Sequence, residues 1–129
     1  SMWTGPRALA EKARRVRKML GGGMRQVGIL AAAAEYALDH HVARLADDHA
    51  RATRLWEALR DAGYAVEAAP ETNILYFRVQ DAPGFTTRLS AAGVRAIAIA
   101  HDRVRLVTHL DVDDGGVERA IGAMQGLVA

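Results

Sequence analysis

The pattern of apolar and polar residues changes character twice along the chain. After Pro6, a residue suited to a first helical turn, residues 7 to 20 contain no breaker and read as a basic helix that stops at Gly21, Gly22 and Gly23. From Met24 to Ala62 there is no proline, and Gly28 is the only glycine. A run of that length exceeds one ordinary helix, so a bend at Asp39, His40 and His41 predicts helices over about residues 24–39 and 42–61. The first, carrying "VGILAAAAEYAL", is small and apolar on nearly every side and calls for cover. The second is amphipathic, with Val42, Leu45, His49, Ala52, Trp56 and Leu59 at spacings of three and four.

Beyond Gly63 the period shifts from helical to two. "YAVEAA" and "NILYFRVQ" read as strands, the second with Leu75, Phe77 and Val79 on one face and Ile74, Tyr76 and Arg78 on the other. After Pro83 and Gly84, "FTTRLSAA" reads as a short helix closed by Gly93. "VRAIAIA" and "RVRLVTHL" read as two more strands, and residues 113–128 as a last helix turning Val117, Ile121, Met124 and Val128 inward. The expected fold class is α+β: N-terminal helices, then a small, mostly antiparallel sheet covered by helices on one side.

Three glycines in succession need a reason, because an interior glycine costs about 0.5–1 kcal/mol relative to alanine. They can end one helix in a left-handed cap. They can also bring bare backbone close to a ligand, with Met24, Arg25 and Gln26 opening a helix whose N-terminus favours an anion.

Composition narrows the chemistry. The 129 residues suffice for one domain with a real core, and there is no cysteine, so disulfide, iron–sulfur and thiolate-zinc readings fall away. No stretch approaches a membrane span and no signal-peptide pattern is visible, so a soluble, cytoplasmic protein is expected. Ser1 and Met2, ahead of Trp3, read as a cloning remnant. Arg7, Lys12, Arg14, Arg15, Arg17 and Lys18 face only Glu11 within residues 7–18, so the rest of the chain, with 11 cations and 14 anions, is net acidic. Charge confined to one helix argues against a nucleic-acid partner, whose binders spread it over a face.

The five histidines lack ligand spacing, so no metal site is expected, and no serine sits in a nucleophile-elbow pattern. One strand residue stands out. In "RVRLVTHL" the alternation sends Val104, Leu106, Thr108 and Leu110 one way and Arg103, Arg105, Val107 and His109 the other. Arg105 lies mid-strand between Val104 and Leu106, where an unpaired guanidinium is costly. It is either held in a structural ion pair, exposed at an edge, or a planar fork kept ready for a carboxylate or phosphate.

Taken together, "RKMLGGGMRQVGILAAAAEYALDHHVARLADDHARA", "TNILYFRV" and "VRLVTHLDV" resemble the C-terminal part of the low-specificity L-threonine aldolases, in the family's order and spacing. Those are pyridoxal-phosphate enzymes of the aspartate-aminotransferase-like fold, fold type I. The resemblance implies that Arg105 binds the α-carboxylate of a small amino-acid substrate. It implies that Arg25 reaches the cofactor phosphate, in the site of a neighbouring subunit of a homo-oligomer, and that Lys18 lies close by. It also implies residues 1–41 as linking helices and 42–129 as the small C-terminal domain.

Enzymes of this kind hold pyridoxal 5'-phosphate on a lysine, because only a primary amine exchanges an imine with the aldehyde. The chain has Lys12 and Lys18 alone. Neither matches the cofactor-carrying lysine, whose segment would precede residue 1 as part of a large domain of the same polypeptide. No catalytic residue is therefore expected in this chain, and alone it should neither cleave threonine nor hold the cofactor covalently. A sister lyase on another β-hydroxy or β-substituted amino acid, and a non-catalytic interaction domain with this fold, are the alternatives.

Overall fold

The computed structural model describes residues 4–127, so the expectations on Ser1, Met2, Trp3 and Val128 fall outside the described residues. The chain divides into two compact units, residues 1–40 and 41–129.

The first unit holds α1 (Arg7–Met19) and α2 (Gly28–His40). The carbonyl of Pro6 accepts from the amides of Leu9 and Ala10, both at 2.9 Å, which starts α1. Neither helix buries a residue. Ile29 is 80% exposed and Leu30 57%, so the apolar faces of α2 stand open in this chain. The helix expected from residue 24 starts later. Met24, Arg25 and Gln26 lie ahead of it, and Gln26 has φ of 54°, a left-handed conformation that cannot continue a helix.

The second unit comprises α3 (Leu45–Asp61), β1 (Ala65–Val66), β2 (Ile74–Arg78), α4 (Ala82–Ala91), β3 (Ile97–Ala100), β4 (Arg103–Val107) and α5 (Asp114–Gln125). The strands form one sheet in the order β1-β2-β4-β3, antiparallel throughout. The expected α+β class is borne out. Leu75 pairs with Leu106 and Phe77 with Val104, and these four make the core face of the sheet. Ala52, Leu55 and Leu59 of α3, Ala82, Phe85 and Leu89 of α4, and Val117 and Met124 of α5 close over them. Tyr64, Phe77 and Phe85 meet edge to face at 5.4–5.8 Å, an arrangement the ring quadrupoles favour.

Local chemistry explains where elements begin. The Asp81 carboxylate accepts from the Gly84 amide at 3.1 Å, so α4 already includes Pro83 and Gly84, which the sequence reading placed before it. Asp113 caps α5 in the same way, accepting from Gly116 at 2.6 Å. The buried face of α3 is rotated from the one expected. Asp48 and Leu55 face inward, whereas Val42, Leu45 and His49 are exposed. A carboxylate survives there because Arg44 grips Asp48 with two bonds, 3.0 and 3.2 Å, while the buried Thr108 hydroxyl donates to the Asp48 carbonyl at 2.6 Å. Leu110 lies beyond the end of β4 and is 58% exposed, against the alternation that placed it inside.

Candidate functional site: an arginine without a partner and a glycine-capped cationic turn

The sheet face opposite the core carries Tyr76 of β2, Arg103 and Arg105 of β4, and Ile97 of β3. Tyr76 and Ile97 are the cross-strand partners of Arg105 on its two sides. Arg103 and Arg105 are two residues apart on one face, yet their surroundings differ. Arg103 makes a two-bond pair with Glu67 at 2.8 and 2.6 Å and lies 4.2 Å over the Tyr76 ring. Its hydrogen bond to Glu67 pushes its pKa above the usual guanidinium value. Arg105 has no carboxylate partner among the described residues, and its Nε is buried without a hydrogen bond. Nor is it at an edge, since β4 lies between β2 and β3. The ion-pair and edge readings of Arg105 therefore have nothing to rest on in this unit.

Arg105 lines an open cavity of about 450 Å³ together with Ser90, Arg95, Ile97, Val107 and His109. No carboxylate lines it. Asp111 approaches from outside, its amide donating to His109 Nδ1 at 3.3 Å and its carboxylate 3.6 Å from the same nitrogen. An orphaned planar donor beside an acid-free cavity is suited to a carboxylate or phosphate oxygen. Arg95 was missed in the sequence. Its signal was the alternation of "VRAIAIA", which puts Arg95 in phase with Ile97, the partner of Arg105.

Lys18 and Arg25 belong to the first unit. Leu20 caps α1, Gly21 follows at φ of 82°, the Gly21 amide donates to the Lys18 carbonyl at 3.2 Å and the Gly22 amide to the Arg17 carbonyl at 2.8 Å. This is the two-bond C-terminal cap that a left-handed glycine permits. Of the two glycines after it, Gly22 is held tight by the Arg17 side chain and carbonyl, whereas Gly23 faces only the flexible end of Lys18. A Cβ on Gly22 would stand 2.7 Å from Arg17 Cγ, and one on Gly23 3.1 Å from Lys18 Nζ. Bare backbone thus runs beside the Lys18 ammonium before the chain turns through Arg25. Both cations are exposed and have no ion pair among the described residues, nor does a hydrogen bond join them. The helix N-terminus expected at Met24 to Gln26 is not formed there, so any anion at this turn meets side-chain charge and glycine backbone rather than a helix start.

The family model described as beta-eliminating lyase matches residues 1–82. The chain belongs to that family. Among curated relatives, the low specificity L-threonine aldolase of Escherichia coli K12 is 47% identical over 114 residues, which are 87% of this chain and 33% of that protein. The probable low-specificity L-threonine aldolase 2 of Arabidopsis thaliana is 41% identical over 132 residues, 97% of this chain and 37% of that protein. An alanine racemase of Cochliobolus carbonum, TOXG, is 31% identical over 136 residues, 99% of this chain and 35% of that protein. The chain therefore spans about a third of the length of the curated relatives it matches.

Solved structures agree on the fold. N-Succinyldiaminopimelate aminotransferase from Mycobacterium tuberculosis superposes with a TM-score of 0.57 at 25% identity, over 76% of this chain and 30% of that one. Serine palmitoyltransferase from Sphingomonas wittichii does so at 0.58 and 21% identity, over 67% and 25%. The likeness to threonine aldolases and to the smaller α+β part of fold type I enzymes is thus borne out.

Proposed function

We propose that this chain is the C-terminal part of a pyridoxal-phosphate enzyme that cleaves L-threonine or L-allo-threonine to glycine and acetaldehyde. Within it, residues 1–41 are linking helices and residues 42–129 the small domain. The observation that carries the reading is the buried, unpartnered Nε of Arg105 at the wall of a cavity that no carboxylate lines. Arg105 binds the substrate's α-carboxylate through its planar fork and so fixes which substituent of Cα is presented for cleavage. Ile97 and Val107 flank the fork with apolar surface, and the shielded Nε is its least hydrated donor. Lys18 and Arg25 hold the cofactor phosphate at the glycine-capped turn, in the site of a neighbouring subunit of a homo-oligomer. Their unpaired charges and the bare backbone at Gly23 fit a dianionic group. When bound, pyridoxal phosphate takes up the electron pair left as the Cα–Cβ bond breaks. The base that removes the β-hydroxyl proton, and the lysine that carries the cofactor, belong to the large domain. The open apolar surface of α2 is covered there by that domain or by a partner subunit.

The test is Arg105→Lys in the full-length polypeptide. A point ammonium loses the planar match, so kcat/KM for threonine falls by about 2–4 kcal/mol, while the spectrum of the bound cofactor persists. Unchanged kcat/KM with a lowered melting temperature refutes the assignment. A sister enzyme acting on another amino acid is the second reading, favoured by the 31% identity to a protein named as an alanine racemase. Assaying the unmodified full-length polypeptide with alanine, for racemisation, separates the two.

A further inference from the structure

Arg105 has no carboxylate partner among the described residues, although a carboxylate stands in its own row across the sheet. The register that pairs Ala65 with Arg78 and Val66 with Phe77 carries on to Glu67 opposite Tyr76, whose carbonyl accepts from the Glu67 amide at 3.0 Å. Tyr76 pairs with Arg105, and Arg105 with Ile97. Glu67, Tyr76, Arg105 and Ile97 therefore follow one another across the sheet, and the packing of Val66 on the core turns Glu67 to the outer face. Two strand spacings, ~10 Å between backbones, separate Glu67 from Arg105, a gap that a glutamate and an arginine leaning together can close. Nor can the Glu67 backbone retreat, since its carbonyl accepts from Trp56 Nε1 at 2.8 Å. What holds the acid away from Arg105 is Arg103. It takes both Glu67 oxygens, at 2.8 and 2.6 Å, with its guanidinium 4.2 Å over the Tyr76 ring, the residue between Glu67 and Arg105. Arg78 comes within 3.8 Å of Glu67 but bonds to Asp102.

We infer that Arg103 is a positioning residue that keeps the Arg105 fork open for a ligand carboxylate, by occupying the carboxylate of the protein itself that competes for the fork. The inference rests on the reading of Arg105 as a carboxylate holder and adds the residue that leaves it vacant. Arg103 and Arg105 are two residues apart on one face of β4 and divide the acids between them: Arg103 takes the internal one and Arg105 the ligand. Once released, Glu67 acts as a tethered competitor, and the apparent affinity of Arg105 for a ligand falls by the fraction of time the fork is filled. Glu67 and Arg103 are both partly exposed, so that competition is modest and shrinks with salt.

The 129-residue chain can be titrated directly with acetate at low ionic strength, following the Nε–H resonances of the arginine side chains. Acetate is expected to shift Arg105. Arg103→Gln should weaken acetate binding by about three- to fivefold, and should shift the Arg105 resonance before any acetate is added, as Glu67 enters the fork. Adding Glu67→Gln to that variant should return both the affinity, to within about twofold of the parent chain, and the resonance. A residue that only supports the sheet predicts the opposite, because removing the second partner cannot restore a ligand site that the first removal damaged through the fold. Glu67→Gln alone should bind acetate at least as tightly as the parent, which keeps the inference testable if Arg103→Gln fails to fold. An affinity unchanged in Arg103→Gln, a double variant as weak as the single one, or weaker binding in Glu67→Gln overturns the inference while leaving Arg105 as the carboxylate residue. A parent chain in which acetate does not bind, or binds with no shift at Arg105, overturns both.

Discussion

Replacing Arg105 by methionine tests whether the sheet tolerates this arginine or needs it. The residue sits on an inner strand between Tyr76 and Ile97, with no carboxylate partner and no bond to its buried Nε among the described residues. A buried donor left unsatisfied costs about 1–3 kcal/mol. Methionine has similar reach, no polar hydrogen to satisfy, and enough flexibility to fill the same space. Only the Nε is fully shielded, and the rest of the side chain is half-buried, so the lower end of that range applies. Arg105→Met should therefore stabilise the chain by ~1 kcal/mol, and raise the melting temperature by about 4–8 °C for a unit of this size. Circular dichroism against temperature measures the shift, and acetate titration of the same sample should show carboxylate binding gone. Gain in one readout and loss in the other is the signature of a strained group kept for a ligand. A melting temperature lowered by several degrees would mean that the guanidinium supports the fold, and the reasoning would fail.

Thr108→Val removes the buried hydroxyl that donates to the Asp48 carbonyl at nearly constant volume; chemical denaturation should show a loss of ~1 kcal/mol. Asp114 has its pKa lowered by its hydrogen bond from Arg51 and by that cation's charge, so its folded value lies below its unfolded one. The stability from this pair is thus fully present above the ordinary carboxylate value and lost as pH falls through the depressed one; in Asp114→Asn, melting curves between pH 2 and 5 should lose that component. Gly122 lies inside α5 with open space where a Cβ would project, so Gly122→Ala should stabilise by about 0.8–1 kcal/mol. Gly63 has equal room but φ of 89°, so Gly63→Ala should destabilise by about 1–2 kcal/mol from backbone strain alone; equal effects at the two sites would refute both. The exposed Ile29 and Leu30 of α2 should make the chain self-associate; light scattering should show the oligomer dissociating in Ile29→Glu with Leu30→Glu.

Period-two alternation made the sheet legible because a strand buried on one face has no freedom of phase. Leu75, Phe77, Val104 and Leu106 all fall where alternation put them. The helical phase of α3 was harder to read, because the decisive inward residue is an aspartate. Hydropathy assigns Asp48 outward; its pairing with Arg44 one turn earlier and the bond from the distant Thr108 to its carbonyl accompany its burial, and only the first of these is local in sequence. The start of α2 was misjudged for a related reason: Met24, Arg25 and Gln26 are good helix formers, but the cap at Gly21 leads the chain into a turn before any helix can nucleate. Arg105 was visible as a charge in an apolar strand, whereas the alternation that sets Arg95 in phase with Ile97 gains meaning only once β3 is known to pair with β4.

The strand order gives the two sides of the Arg105 cavity different lifetimes. β4 is hydrogen-bonded on both sides, and the amides around Arg105 can exchange with solvent only when the sheet as a whole opens. β3 is paired on one side and its register is interrupted between Ala98 and Ala100, so fraying from that edge opens the Ile97 side of the cavity while Arg105 stays seated. On the timescale of such fluctuations the cavity is walled on its β3 side or open there, and the exposure of Arg105 is then a time average set by how often an outer strand lets go.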